Sequence, residues 1–281
     1  MLPIIPNLKG KVAVVTGGGG ILCGEMAKEL ARQGMNVAIL NRTYEKAVKV
    51  AEVIKSQGGT ALPIKCDVLD RENVIDAEVQ IYEEFGRVDV LINGAGGNHP
   101  KGSTTNETLK KADMDDQTVT SFLDLTTDGF GSVFNLNFIG TFIPSQVFTK
   151  RLLDSKGSIL NISSMSAVSP MTKVPAYSAA KAAIDNFTQW MAVHMAEAGI
   201  RVNAISPGFF LTDQNRALLT KEDGSPTIRL EKILSQTPMK RLGSPKDLLG
   251  TMLWLVDKEA SGFITGVCVP VDGGFMAYSG V

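Results

Sequence analysis

The chain has 281 residues, of which 44% are hydrophobic, and this is enough apolar material to bury a sizeable core. Its 28 basic and 29 acidic residues give a formal net charge of -1, which offers no argument for binding nucleic acid or an anionic membrane. No apolar run reaches the roughly 18–20 residues that a membrane span needs, and the first residues do not resemble a secretory signal. We therefore expect a cytoplasmic protein with no nucleic-acid or membrane partner.

Three cysteines, Cys23, Cys66 and Cys268, are an odd number and lack the spacing of a metal site. Such a set is typical of reduced thiols in an intracellular protein, because disulfides persist mainly in oxidising compartments. We therefore expect neither a disulfide framework nor a bound metal.

Short apolar runs alternate with helical patterns along the whole chain. Strands are predicted at 12–15, 37–40, 61–64, 88–92, 158–162, 201–205 and 267–271. The first helix is predicted to end near Gly34, and further helices are predicted over about 44–56 and 72–85. Pro63 favours a strand start or an edge strand for its run. Continuous apolar strands separated by helices predict a parallel sheet with helices on both faces, and no change in composition marks a second domain.

One polar stretch, at about 97–127, interrupts this alternation. A connection this long inside a compact domain is typical of a functional lid or a mobile segment. The alternative is a surface excursion without a catalytic role. The lid interpretation is favoured because loops that follow strands carry function in such folds.

A glycine-rich segment, residues 16–20 (Thr-Gly-Gly-Gly-Gly), follows the first strand and precedes a helix. Glycines there let the main chain approach a pyrophosphate, and the helix N-terminus offers free N–H groups and a positive dipole end. The alternative is a tight turn without a ligand. Because strand, glycines and helix occur together, the sequence predicts a dinucleotide site. Its candidate residues are Gly17, Gly19, Gly20, Ile21 and Leu22.

The second strand is followed by Asn41 and Arg42, where an acidic residue would bind the adenosine ribose and select NAD. Asn41 has no carboxylate, and Arg42 is able to bind a 2′-phosphate, so the pair modestly favours NADP. Asn41 is nevertheless able to bond both ribose hydroxyls, and Arg42 alternatively lies in solvent or packs on adenine. NAD and NADP are therefore both retained as candidate cofactors.

Further cofactor contacts are predicted where later strands end. Asp67 follows the third strand, and its carboxylate is placed either to accept from the adenine amino group or to serve as a turn or N-cap residue. Residues 93–96 (Asn-Gly-Ala-Gly) follow the fourth strand, where small residues allow close approach of a cofactor. The candidate contacts are Asp67, Val68, Asn93, Ala95 and Gly96.

Tyr177 and Lys181 lie in an alanine-rich segment in which Pro175 suits a helix start. Their spacing of four places both side chains on one helix face. A phenol with a pKa of about 10 is a poor acid–base group at neutral pH, and a nearby ammonium lowers that pKa. The alternative is an exposed helix with an incidental pair. The strand that ends before Ser163 and Ser164 argues for a catalytic centre instead.

The combination of motifs resembles the short-chain dehydrogenase/reductase family over about residues 8–281. The motifs are the glycine run after Thr16, residues 93–96, Asn137, Ser164, the Tyr177-x-x-x-Lys181 pair and Pro207-Gly208. The resemblance implies one α/β domain over 1–281, with a Rossmann-like doubly wound parallel sheet in three layers, and NAD(P)-dependent oxidoreductase activity. It also implies self-association, often as a homotetramer. Apolar candidates for the core or a subunit interface are Phe187, Trp190, Met191, Phe263, Ile264 and Val267.

The resemblance also implies roles for a catalytic set. Tyr177 would be the general acid/base, and Lys181 would lower its pKa and bond the nicotinamide ribose. Ser164 would hydrogen-bond the reacting oxygen, and Asn137 would hold a water that links Lys181 to solvent. The implied contacts to the nicotinamide carboxamide are Pro207, Gly208, Phe210 and Thr212.

The first motif departs from the family pattern Gly-x-x-x-Gly-x-Gly. Counted from Gly17, the later glycine positions hold Ile21 and Cys23, and Gly24 comes one residue late. A bulkier turn is implied, although main-chain N–H groups rather than side chains hold the phosphates.

Other segments are more similar to one branch of the family, the oxidoreductases that interconvert D-mannonate and D-fructuronate. These segments are 17–23, 93–100, 164–167, 207–216, 272–275 and 278–281. A sugar acid needs a cation for its carboxylate and polar partners for its hydroxyls. The candidate substrate contacts are Ser164, Met165 and the loop residues Asn98, His99, Lys101, Gln214, Asn215 and Arg216. Each of these loop residues is alternatively a solvated side chain without a substrate role. Arg216 ranks first for the carboxylate, because a guanidinium binds it with two hydrogen bonds.

Other functions stay open at this stage. A gluconate 5-dehydrogenase or another polyol or sugar-acid dehydrogenase is the nearest alternative. A 3-oxoacyl-carrier reductase is more distant, because no basic patch for an acidic carrier is evident. A redox sensor that binds NAD(P) without turnover is disfavoured by the joint presence of Asn137, Ser164, Tyr177 and Lys181.

Overall fold

The computed structural model describes residues 2–212, 216–221 and 223–280. Its strands are β1 (Val12–Thr16), β2 (Asn36–Asn41), β3 (Thr60–Lys65), β4 (Val90–Asn93), β5 (Ser158–Ile162), β6 (Arg201–Pro207) and β7 (Cys268–Val271). The described strands pair in parallel as one sheet, in the order β3-β2-β1-β4-β5-β6-β7. The order reverses between β1 and β4, and open α/β sheets bind ligands at such a point, beyond the carboxyl ends of the strands.

Helices cover both faces of this sheet. They are α1 (Ile21–Arg32), α2 (Tyr44–Ser56), α3 (Arg71–Phe85), α4 (Thr127–Ser155), α5 (Pro175–His194), α6 (Arg216–Leu219), α7 (Ile228–Gln236), α8 (Leu249–Val256) and α9 (Lys258–Ser261). One hydrophobic core lies between the sheet and α1, α2 and α8, and the other between the sheet and α3, α4 and α5. The fold is thus the predicted three-layer, Rossmann-like α/β sandwich. None of the described helices is long and apolar enough to cross a bilayer.

Strand β1 explains why both faces must be covered. All five of its residues are buried. Because side chains alternate along a strand, Ala13 and Val15 enter the first core, whereas Val12 and Val14 enter the second. A strand that is apolar at every position has no face to offer to water, and this pattern is the one that parallel sheets require.

Most predicted elements have the expected position. Helix α2 and strand β5 have the predicted bounds, and Pro63 lies in β3, which is an edge strand as expected. The long helix α4 was not predicted, because Pro144 and glycines such as Gly129 and Gly140 interrupt its helical pattern. Because α4 begins at Thr127, the polar stretch at 97–127 ends where this helix starts. This stretch, hereafter the insert, contains short 3₁₀ turns. These turns are Pro100–Gly102, Lys111–Met114 and Phe122–Asp124.

A buried polar chain holds the central elements together. The Asn93 amide on β4 donates to Ser145 Oγ on α4 at 2.9 Å and to Asn161 Oδ1 on β5 at 2.9 Å. Asn161 in turn donates to Thr188 Oγ1 on α5 at 2.8 Å. Two strands and two helices are therefore tied at the depth of the sheet. The side chain of Asn93 faces this interior, so the predicted contact of Asn93 with a cofactor would be made by its main chain.

The three cysteines give a test of this packing. They are free, and burial raises the pKa of Cys23, Cys66 and Cys268 to about 12. Only a thiolate reacts readily with an alkylating reagent, so the folded protein should resist iodoacetamide at pH 8, whereas the urea-unfolded protein should gain three adducts per chain. Mass spectrometry of both samples measures this. Equal rates of native and urea-unfolded labelling at Cys23 would contradict the packing.

Candidate active site

The glycine-rich turn is shaped by a close approach to the loop after β4. Gly17 has a φ of 63°, and a Cβ there would lie 2.8 Å from the carbonyl oxygen of Gly94. The N–H of Gly20 donates to the Gly17 carbonyl at 2.9 Å and closes a turn that leads into α1. Helix α1 starts without a side-chain cap, so its first N–H groups, at Ile21 and Leu22, face a position that suits an anion. This cradle fits the pyrophosphate of a dinucleotide.

The departure at Cys23 is accommodated by a second glycine. The thiol lies so close to Gly94 that a Cβ on Gly94 would be 2.1 Å from its Sγ. The glycine at 94 thus provides the space that the bulkier residue in α1 requires. Thr16, which the sequence interpretation gave no individual role, links the same loops, because its Oγ1 accepts from the N–H groups of Gly94 and Ala95 at 3.1 and 3.2 Å.

The residues predicted to meet the adenosine lie at the ends of β2 and β3. The Asn41 side chain donates to the Thr43 carbonyl at 2.8 Å, and its Oδ1 would lie 3.0 Å from a Cβ at Gly19. Arg42 is exposed. The carboxylate of Asp67 accepts from the N–H of Leu69 at 3.0 Å, which is the turn role that the sequence left open.

Val68 lies beside Asp67 but is directed inward. Val68 is buried, and its Cγ2 would be 2.9 Å from a Cβ at Gly140. The Val68 side chain fits there because Gly140, on α4, has no side chain. A cofactor contact by Val68 would therefore come from its main chain.

Helix α5 brings the predicted acid–base pair to the end of β5. Pro175 opens the helix, and Tyr177 lies within hydrogen-bonding reach of Ser164. Lys181 is buried, and its Nζ donates to the carbonyl of Ile162, the last residue of β5, at 2.8 Å. The same Nζ is 5.5 Å from the centroid of the Tyr177 ring. The hydroxyl oxygen of Ser164 also accepts hydrogen bonds from Ser166, from its main-chain N–H at 3.2 Å and from its Oγ at 3.0 Å.

Burial decides the electrostatics of this pair. It raises the pKa of Tyr177, and the hydrogen bond with Ser164 opposes that rise. It lowers the pKa of Lys181 to about 8. The sequence interpretation expected Lys181 to lower the Tyr177 pKa. In this arrangement the ammonium is directed at the Ile162 carbonyl, and the hydrogen bond with Ser164 is what lowers the pKa of the phenol.

Asn137, on α4, is hydrogen-bonded to the start of the insert, near Lys181. Its side chain is fully buried, with Oδ1 accepting from the Gly97 N–H at 3.1 Å and Nδ2 donating to the Gly97 carbonyl at 2.8 Å. A Cβ at Gly96 would lie 2.6 Å from Asn137 Oδ1 and 3.6 Å from Lys181 Nζ. The amide thus fixes the main chain beside Lys181, a contact that the sequence did not indicate.

The insert packs against the loop that precedes Tyr177. A Cβ at Gly102 would be 3.4 Å from the Ala176 Cβ, and the Thr104 N–H donates to the Lys173 carbonyl at 2.9 Å. An exposed ion pair of 3.0 Å between Glu107 and Lys232 connects the insert with α7. The insert therefore borders helix α5.

Two predicted substrate residues of the insert take part in local turns. The Asn98 amide donates to Ser103 Oγ at 2.9 Å, and His99 Nδ1 accepts from the Lys101 N–H at 3.2 Å. The side chains of Asn98, His99 and Lys101 are all exposed. These residues are thus at the surface of the insert, and the turns fix Asn98 and His99.

The remaining substrate candidates differ in burial. Met165 is only 1% exposed, so its side chain packs inside the fold and offers little surface to a substrate. Arg216 is exposed at the start of α6, and its N–H donates to the Thr212 carbonyl at 3.0 Å. Gln214 and Asn215 lie outside the described residues.

The segment after β6 approaches the end of β7. A Cβ at Gly208 would be 2.6 Å from the Cα of Asp272, so only glycine fits next to Pro207 at this crossing. The ring of Phe210 is buried against Gly243, where a Cβ would be 2.4 Å from it. A cofactor contact by Phe210 would consequently be made by its main chain.

The sequence interpretation missed Asp185, which lies one turn beyond Lys181 on α5. Burial raises the pKa of Asp185, and hydrogen bonds with Ser163 and Cys268 and the charge of Lys181 oppose the rise. The spacing of four that pairs Tyr177 with Lys181 also pairs Lys181 with Asp185, and this signal was available in the sequence.

Replacing Lys181 by Met should stabilise the fold at neutral pH. The pKa of this lysine is about 8 in the folded state against about 10.4 in an unfolded chain. Burying the charge therefore costs stability below pH 8, and the cost disappears as the pH rises toward 10.4. We expect Lys181→Met to gain roughly 1–3 kcal/mol at pH 7 and progressively less at pH 8.5 and 9.5.

Urea denaturation at the three pH values measures the gain, and Lys150→Met, an exposed position on α4, is the matched control with a change below about 0.5 kcal/mol. A less stable Lys181→Met protein, or a gain that does not vary with pH, would count against this electrostatic balance.

Comparisons with known proteins agree with the fold and identify the family. A family model described as short chain dehydrogenase matches residues 11–223. An oxidoreductase of Bacillus subtilis, named UxuB and described as uncharacterized, is 60% identical over the whole of both chains.

Two solved structures are also similar. A protein of Haemophilus influenzae, provisionally named as a D-mannonate oxidoreductase and solved with bound NAD, is 49% identical with a TM-score of 0.92, over 98% of both chains. A provisionally named gluconate dehydrogenase of Agrobacterium tumefaciens is 29% identical with a TM-score of 0.84, over 98% of this chain and 99% of that one. The chain therefore belongs to the short-chain dehydrogenase/reductase family and is an NAD(P)-dependent oxidoreductase that acts on CH–OH groups.

Proposed function

We propose that the protein interconverts D-mannonate and D-fructuronate, with NAD or NADP as the hydride carrier. The observation that carries this proposal is the 49% identity, over 98% of both chains, to the structure named for D-mannonate. The insert supports it, because it borders the helix of Tyr177 and carries polar and cationic side chains at its surface. A six-carbon acid extends several ångströms beyond its reacting carbon, and these side chains would meet its far end.

When bound, the nicotinamide supplies or accepts the hydride, and the chain's own residues handle the proton. Tyr177 would give its phenolic proton to the carbonyl oxygen of the ketone, with Ser164 holding the same oxygen. Burial raises the pKa of Tyr177, so the phenol is protonated at neutral pH and suited to donate. Under this proposal, the reduction of D-fructuronate should be the faster direction near neutral pH. Oxidation of D-mannonate, which needs the phenolate, should gain at higher pH.

The cofactor would be held mainly by main-chain groups. The N–H groups at the start of α1 suit the pyrophosphate, and the glycines around them leave the space that side chains would fill. Asn41 and Arg42 would meet the ribose, and Asp67 and Val68 the adenine. The loop contacts proposed for the nicotinamide half are Asn93, Ala95, Gly96, Pro207, Gly208, Phe210 and Thr212.

The substrate carboxylate would be read by a cation on a neighbouring loop. Arg216 is the first choice and Lys101 the second, since both are exposed and the guanidinium is able to bind a carboxylate through two hydrogen bonds. His99 ranks third, because its Nδ1 already accepts a main-chain hydrogen bond.

A second candidate is a dehydrogenase of gluconate or a related sugar acid or polyol. The similarity to the structure named for gluconate favours it. That similarity is lower, at 29% identity, and so D-mannonate ranks first.

Self-association as a homotetramer is also proposed. Trp190 is 56% exposed and Phe263 fully exposed, and Trp190 stacks on Phe187 with ring centroids 6.0 Å apart. Phe142 on α4 is exposed, with its ring centroid 5.9 Å from that of Phe187, and Val193 is exposed on α5. The exposed apolar surface that α4 and α5 share is typical of an interface between proteins.

Replacing Tyr177 by Phe tests the proposed reaction. The wild type should oxidise NADH when D-fructuronate is added, more strongly than with a 5-keto sugar acid. Tyr177→Phe should reduce kcat by roughly 10²–10⁴-fold, the usual weight of general acid–base catalysis, with NADH binding nearly unchanged. Absorbance at the nicotinamide band measures kcat, and NADH fluorescence measures NADH binding.

Tyr82→Phe makes the same chemical change at an exposed site on α3 and is the control. Near-normal turnover in Tyr177→Phe would remove the proposed mechanism. If the wild type prefers the keto acid derived from gluconate, the second candidate, a gluconate dehydrogenase, replaces the first.

Replacing Asn41 by Asp tests the cofactor site. A carboxylate at the end of β2 would accept from both ribose hydroxyls and repel a 2′-phosphate. The ratio of kcat/KM for NAD over NADP should therefore rise by about tenfold or more, equivalent to about 1.4 kcal/mol. An unchanged ratio would mean that Asn41 lies away from the ribose.

A further inference from the structure

Asp185 lies on the face of α5 that carries the proposed acid–base pair. Tyr177, Lys181 and Asp185 follow one another at a spacing of four, so their side chains form one row along the helix. The Oδ1 atom of Asp185 is buried and has no hydrogen-bond partner among the described residues. An ionisable group in such a position costs stability, so its presence calls for a specific reason.

Two polar side chains of the sheet lie near the carboxylate. They are Ser163, directly after β5, and Cys268, the first residue of β7, and both lower the pKa of Asp185. Ser163 Oγ is also 3.4 Å from the main-chain carbonyl of Lys181. The carboxylate therefore lies between β5, β7 and α5. Ser163 and Cys268 favour its ionised form, against the burial that raises its pKa.

Lys181 has two neighbours that could carry a negative charge, Cys23 on α1 and Asp185. Burial raises the pKa of Cys23 to about 12, whereas Lys181 titrates near 8. Cys23 is thus a neutral thiol over the whole range in which the lysine changes its charge. The phenol of Tyr177, whose pKa is also raised, is neutral there too. Asp185 is left as the anionic neighbour of the ammonium among the described residues.

We propose that Asp185 is a positioning residue, a half-buried carboxylate one helical turn from Lys181 whose charge keeps the Lys181 ammonium charged and directed at the end of β5. It acts on the reaction only through Lys181. The catalytic consequence rests on the proposed function, whereas the coupling between the two charges does not depend on it. The separate readouts below therefore distinguish failure of the coupling from failure of the reaction.

The coupling is measured in the protein without substrate, by NMR titration of ¹³C-labelled lysine, with Lys181→Met identifying the resonance. Asp185→Asn keeps the shape and removes the charge, and should lower the Lys181 pKa by about one unit or more. Asp185→Glu and Cys23→Ser should keep it near the wild-type value. Asp76→Asn, an exposed position on α3, is the control for a general loss of negative charge.

An unchanged Lys181 pKa in Asp185→Asn would overturn the proposal. An equal fall in Asp185→Glu or Cys23→Ser would overturn it too, because the charge of Asp185 would not be the cause. Should Asp185→Asn fail to fold, the reciprocal measurement decides. Coupling acts equally in both directions, so Lys181→Met must raise the pKa of the Asp185 carboxyl, and a constant value would overturn the proposal.

Activity gives the second readout. A Lys181 pKa that falls by one unit, from about 8, leaves roughly one-fifth as much charged lysine at pH 8. The resemblance implies that the Lys181 ammonium bonds the nicotinamide ribose, so kcat should follow the charged fraction of Lys181. Asp185→Asn should therefore lower kcat about five-fold at pH 8 and shift the pH profile to lower pH, with little loss at pH 6. A loss of the same size at every pH would indicate a merely structural role and overturn the proposal.

Discussion

The arrangement of this protein depends on burying one positive charge, that of Lys181, at the carboxyl end of β5. The hydrogen bond of 2.8 Å from its Nζ to the Ile162 carbonyl ties helix α5 to the strand that leads to Ser164. Burial makes the charge costly, as the lowered pKa shows. A costly charge needs partners held in place, and the surrounding segments supply them. Gly96 leaves the space beside Nζ that a Cβ would enter.

The position of that charge is fixed by contacts that cross the fold. The chain of Asn93, Ser145, Asn161 and Thr188 sets β4 and β5 against α4 and α5 at the depth of the sheet. Asn137 then fixes the start of the insert from α4, next to the lysine. These buried polar groups therefore set the position of Lys181 and helix α5 relative to β4 and β5.

The sequence predicted what depends on local pattern, and it failed where distant segments meet. Apolar runs predicted the strands, and the spacing of Tyr177 and Lys181 predicted one helix face. The inward direction of Val68 and Phe210 could not be predicted, because each depends on a glycine of a distant segment that leaves room for the side chain. The burial of Met165 likewise depends on how its loop packs. Asp185 was predictable from its spacing and was missed.

A crystal structure of Tyr177→Phe with NAD⁺ and D-mannonate tests the central claim most directly, since this variant should bind both without turning them over. The account predicts the oxidisable hydroxyl within hydrogen-bonding distance of Ser164 Oγ, and the carboxylate beside a cation of the neighbouring loops, Arg216 or Lys101. A sugar acid bound with its carboxylate at Ser164, or with its hydroxyls away from α5, would contradict it.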